Sequence, residues 1–150
     1  MGKIIGLIAC SKKKNDDHDK KMPAQELYKG NIFKQSKKFA QEKCAKKEWQ
    51  DWFILSGKYG LLEKNEKIGY YDCYLKDKPA AERRNWADEI LKELSSKYKF
   101  DLKRDKFVIL GGQSYYENLK KHLNCVVFKC SSGGIYLDNN CKTEFKNGGK

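Results

Sequence analysis

A chain of 150 residues is long enough to bury a real core as one domain, and 39% hydrophobic against 35% charged residues with only 2 Pro excludes a disordered polymer. The 32 Lys+Arg outweigh 20 Asp+Glu by a formal +12, which favours polyanionic partners, nucleic acid or phosphorylated metabolites. No apolar stretch is long enough to cross a membrane, so no membrane partner is expected.

Residues 3–9, KIIGLIA, form a continuous apolar run with β-branched residues and read as a strand covered on both faces. The segment 31–47 is helical by spacing, with Phe33, Ala40 and Cys44 on one face and Lys37, Lys38, Lys43, Lys46 and Lys47 turned to water. Residues 1–50 hold 13 Lys against 6 Asp+Glu, so the positive field concentrates around this first strand and helix. A second buried strand, 52–55, stops at Ser56-Gly57, and a helix follows Pro79, where Trp86, Ile90 and Leu94 recur every fourth position. A third strand, 107–110, ends in Gly111-Gly112, residues 113–122 read as helix, and a fourth strand covers 125–128. The loop Ser131 to Gly134 and a polar tail follow; from Asn139 onward there is little to bury and mobility is expected.

Strands alternating with helices predict an α/β fold: three layers, a short, mainly parallel sheet of about four strands, and helices on both faces. With no repeat and no linker, residues 1–150 are expected to form one domain. The apolar run Ile4 to Ala9 is too short for a secretory signal, so the 6 Cys are expected as reduced thiols in the cytoplasm. No CxxC pair occurs, and the acidic stretch Asp16-Asp17-His18-Asp19 lacks the glycine and terminal glutamate of a calcium loop, so neither metal nor cofactor is predicted.

In parallel sheets, ligands sit beyond the carboxyl ends of the strands. That rule selects Cys10-Ser11, Ser56-Gly57 and Gly111-Gly112. At the first tip, Cys10 is a candidate nucleophile, while Ser11 and Lys13, in the run Lys12 to Lys14, are placed to hold phosphate. The second tip, Ser56 to Gly60, suits a tight turn that displays Lys58 and Tyr59, and Tyr70-Tyr71-Asp72 follow in the chain. A tyrosine ring stacks on a base, and the adjacent Asp72 carboxylate can activate water or stabilise an oxocarbenium-like centre. At the third tip, Gln113, Ser114 and Tyr115 open a helix, either to meet a ligand or to cap it. His122 reads as a C-terminal helix cap.

Taken together, LIACSKKK, ELYKGNIF (26–33), ILSGKYGLL (54–62), IGYYDCYL (68–75), the Trp86 helix and LGGQSYY (110–116) resemble the YaaA-like peroxide-stress family. They resemble more closely a group of small phage and bacterial domains of uncharacterised function that carry the Cys-Ser-Lys-Lys-Lys form. A more remote similarity is to the catalytic domain of archaeosine synthase. The resemblance implies a nucleic-acid or nucleobase ligand and, position by position, a role for Cys10, Ser11, Ser56, Tyr59, Gly60, Tyr71, Asp72 and Tyr115. The chain is shorter than the YaaA-like pattern and carries Tyr70 where that pattern has proline.

The expected function is therefore an enzyme of nucleobase or nucleotide processing, acting at an N-glycosidic bond. Asp72 and Cys10 would be catalytic; Ser11, Lys13, Ser56, Gly57, Lys58, Tyr59, Gly60, Tyr71, Gly111, Gly112 and Tyr115 would bind substrate. The alternative is a non-catalytic DNA- or RNA-binding module of stress response or phage defence that uses the lysines of 31–47.

Overall fold

The computed structural model describes residues 2–11, 14, 15, 20–131 and 134–137, the last strands by backbone alone from Lys129 on. In chain order its elements are β1 (Ile4–Ala9), β2 (Met22–Pro23), α1 (Ala24–Leu27), α2 (Asn31–Ala45), β3 (Asp51–Ser56), β4 (Gly60–Leu62) and β5 (Lys67–Ile68). A short 3-10 helix (Leu75–Asp77) leads to α3 (Ala80–Lys92), which runs into a π turn (Glu93–Lys97). Then come β6 (Lys106–Leu110), α4 (Gln113–Tyr116), β7 (Cys125–Ser131) and β8 (Gly134–Leu137).

Side chains alternate along every central strand, and the alternation builds two cores. Ile5 and Leu7, Phe53 and Leu55, Phe107 and Ile109, and Cys125 and Val127 point to one face, where Trp86, Ala87, Ile90 and Leu94 cover them. Ile8, Trp52, Ile54, Val108, Leu110 and Val126 point to the other, under Leu27, Phe33, Ala40 and Trp49. This is the expected three-layer α/β arrangement, and it explains why the strands read as unbroken apolar runs.

The sheet order is β4-β3-β1-β6-β7-β8, in which β3, β1, β6 and β7 run parallel while β4 and β8 pair antiparallel at the two edges. The four expected strands are thus the parallel centre. The edges escaped notice for physical reasons: β4 is three residues inside a tight hairpin, and β8 lies in a stretch read as loop and tail. A second correction concerns residues 113–122, expected as one helix. Only α4 is helical; thereafter Leu119 N–H bonds Tyr116 C=O and His122 N–H bonds Leu119 C=O, three residues apart, so the chain continues as tight turns. Turns bury Tyr116, Leu119 and Leu123 at a spacing that an α-helix shares. His122 accordingly sits exposed in a turn and does not cap a helix. The acidic stretch at 16–19, the loop residues Ser132 and Gly133, and the tail from Asn139 lie outside the described residues.

Candidate functional site

The chain leaves β1 toward α2 on one face and leaves β6 toward α4 on the other, so a crevice opens between the carboxyl ends of these adjacent strands. Cys10 stands at its mouth. Its N–H bonds Leu55 C=O at 2.9 Å, and its half-buried Sγ lies 3.3 Å from the Tyr115 hydroxyl. A Cβ on Gly111 would fall 2.7 Å from Ala9 Cβ, so glycine is what lets β6 turn away directly against the β1 tip. Gly112 has open space around it and joins Cys10, Tyr74, Arg83, Tyr115 and Glu117 in lining a cleft of about 840 Å³.

The second tip is a hairpin. Ser56 pairs with Gly60 across the loop Gly57-Lys58-Tyr59, and Gly60 has φ 77, the left-handed region. Ser56 Oγ accepts the N–H groups of Lys58 (3.2 Å) and Tyr59 (3.0 Å), which occupy both of its lone pairs. Its own O–H therefore donates to Tyr71 Oη at 2.8 Å, and the Tyr71 O–H donates to Tyr28 Oη at 2.5 Å. Trp86 Nε1–H fixes the same corner by donating to Ser56 C=O at 2.7 Å.

This chain of hydroxyls anchors the segment that carries Tyr71, Asp72 and Tyr74. Gly57 allows it to approach, since a Cβ there would lie 2.9 Å from the Leu75 nitrogen. Tyr71 is buried, Asp72 is exposed, and the Tyr59 ring meets the Tyr71 ring edge-on at 5.3 Å between centroids. Lys14, only 9% exposed, places Nζ 4.5 Å from the Tyr71 ring centroid and 5.2 Å from that of Tyr74. Burial pushes its amine below the usual lysine range, opposed by the nearby Cys10, Asp72 and Cys73. Burial first, and the Cys10 thiol second, raise the phenols of Tyr28, Tyr71 and Tyr115. All three are therefore neutral hydrogen-bonding groups at ordinary pH.

A family model described as a family of unknown function (DUF6884) matches residues 5–132. The chain belongs to this family. Neither the curated proteins nor the solved structures contain a match. The matched stretch holds all three strand tips and every residue just placed around them.

Of the expected site residues, the fold gathers Cys10, Ser56, Tyr71, Gly111, Gly112 and Tyr115 around the tips of β1, β3 and β6, with Asp72 and Tyr59 beside them. The structure gives several of the others a local structural part as well. Ser11, expected to hold phosphate, accepts the Gly30 N–H on its Oγ at 3.2 Å and so helps to fix the chain entering α2. Gly57 serves the backbone by close approach and Gly60 by its left-handed turn. Lys58 extends from the hairpin tip with Nζ over the Tyr59 ring at 5.3 Å. Lys13 lies outside the described residues. Sequence reading missed Lys14 as a buried group, together with Tyr28, Tyr74 and the cleft pair Arg83 and Glu117. Lys14 was one of three lysines with nothing to separate it from its neighbours; the bridge between Lys14 and Tyr28, with the Asn15 N–H bonded to Leu27 C=O beside it, ties this segment inward. Among the described residues no three His, Cys, Asp or Glu side chains converge as metal ligands, and no helix is long and apolar enough to cross a membrane.

Proposed function

We propose that this protein is an enzyme that processes a nucleobase or nucleotide at its N-glycosidic bond. The observation that carries the proposal is the grouping of Asp72, Lys14 and Cys10 at one crevice walled by Tyr74 and Tyr115, with the buried Tyr71 behind them. Aromatic faces of this kind take a planar base by stacking. As the bond from base to sugar breaks, its electron pair leaves with the base and positive charge grows at the anomeric carbon. An exposed carboxylate such as Asp72 stabilises that charge or takes a proton from the attacking water. Cys10 is the second catalytic group, a thiol at the crevice mouth able to attack the same carbon in a transfer reaction. The neutral Tyr115 hydroxyl supplies a hydrogen bond to base or sugar, and Lys14 supplies positive charge beside the Tyr71 and Tyr74 rings. The resemblance to YaaA-like proteins and, remotely, to archaeosine synthase supports a nucleobase theme.

The test begins with a ligand screen by melting temperature against nucleosides, nucleotides and short oligonucleotides, since a ligand of the folded state raises it by mass action. Release of free base from the best ligand is then measured. Asp72→Asn should lower that release by about 100-fold or more, the scale of a lost acid–base group, with an unchanged melting temperature. Full activity in this variant would remove Asp72 from the mechanism.

A further inference from the structure

The cleft beyond Cys10 carries an ion pair that the proposed chemistry leaves unused. Arg83, on α3, donates from Nε to Glu117 Oε2 at 3.0 Å, and from Nη1 to the Lys78 carbonyl. The two side chains are 25% and 28% exposed, and both line the same cleft as Cys10, Tyr115 and Lys76. Among the described residues Nη2 of Arg83 makes no hydrogen bond. The guanidinium is thus aimed by the backbone of the segment before α3, while its anionic partner comes from a different element, the turn after α4.

We propose that Arg83 is the phosphate-binding residue of the cleft, that Glu117 occupies it as an internal stand-in anion, and that the ligand is a nucleotide bearing a terminal phosphate rather than a free nucleoside. The proposal rests on the nucleobase reading above and adds the phosphate to it. A guanidinium presents a planar fork that matches two phosphate oxygens at once, as it matches a carboxylate. Exchange of one for the other replaces a single negative charge with the roughly −1.5 to −2 of a phosphomonoester, so the guanidinium gains the more strongly charged partner. Water reaches both side chains of this part-buried pair, so Glu117 can swing toward solvent when a phosphate takes its place. The Lys78 carbonyl keeps Arg83 in place while Glu117 moves; Lys76 and Asp77 on the same wall offset one another, so Arg83 is the cation left to meet the phosphate once Glu117 withdraws. The cleft volume of about 840 Å³ has room for a nucleotide whose sugar lies near Cys10.

Calorimetric titration of the full chain with nucleosides, the matching 5′-monophosphates, a dinucleoside monophosphate that carries only a diester, and inorganic pyrophosphate tests this. The wild type should bind a 5′-monophosphate about tenfold or more tighter than its nucleoside, as expected for a charge-assisted bidentate contact. Arg83→Gln should erase that preference, Arg83→Lys should restore part of it, and Glu117→Gln should strengthen monophosphate binding without changing nucleoside binding. Circular dichroism and melting temperature identify any variant that fails to fold, and the Glu117→Gln arm then decides. Equal affinity for nucleoside and monophosphate overturns the subsite but leaves the nucleobase reading standing. Arg83-dependent binding of pyrophosphate with no nucleoside bound at all sinks the nucleobase reading and keeps the anion site. Preference for the diester, or no binding of any probe, overturns the nucleotide assignment.

Discussion

Tyr71 is where the site and the stability of the fold depend on the same atoms. Its hydroxyl links Ser56 to Tyr28 in a buried chain, so Tyr71→Phe leaves two buried oxygens short of a partner. Lost buried hydrogen bonds of this kind cost about 1–3 kcal/mol, and urea unfolding should read a loss in that range. Lys14 makes a prediction in pH. Its amine titrates below the ordinary 10.5, so between that lowered value and 10.5 the unfolded chain holds a proton the folded chain has released, and stability rises with pH across this window. The tyrosines act in the opposite sense. Tyr28, Tyr71 and Tyr115 titrate above the ordinary 10.0; the stability they contribute is complete below that pH and is lost as pH rises beyond it. Melting temperatures followed from about pH 8 to 11 should show Lys14→Met removing the rise and leaving the alkaline fall.

At the level of elements, the hairpin between β3 and β4 does the positioning. It holds Ser56 between two backbone N–H groups, and it brings the 71–75 segment against Gly57. Gly60→Ala places a side chain at φ 77 and should destabilise by about 1 kcal/mol. Gly57→Ala is expected to be worse, because the new methyl meets backbone at 2.9 Å and pushes Tyr71 and Asp72 away from Ser56. If the glycosidic proposal holds, that variant loses base release out of proportion to its fall in melting temperature. The helix α2 offers a separate test. Lys37 donates to the Gln25 carbonyl and Lys43 pairs with Glu48, which leaves Lys34, Lys38, Lys46 and Lys47 exposed. A nucleic-acid-binding role for this face would show as affinity falling steeply with salt, and Lys38→Ala with Lys46→Ala should flatten that slope by about two units.

At the scale of the whole molecule, period and composition were enough for the four parallel strands, the two long helices and the two-faced burial, since alternation and fourth-residue spacing are local consequences of backbone geometry. The strand-end rule also placed Cys10, Ser56 and Gly111 together at the carboxyl end of the sheet without coordinates. Beyond that, sequence spacing carried no information. The Gly30 N–H that Ser11 accepts could not be read from spacing, and Lys14 looked like one more solvated lysine until the chain folded it between two rings. Arg83 and Glu117 are 34 positions apart, and nothing in either segment announces the other. Local spacing determines which faces are apolar and where strands end, because neighbours along the chain set both. Which polar groups meet is a matter of through-space proximity between distant segments, and only the tertiary structure decides it.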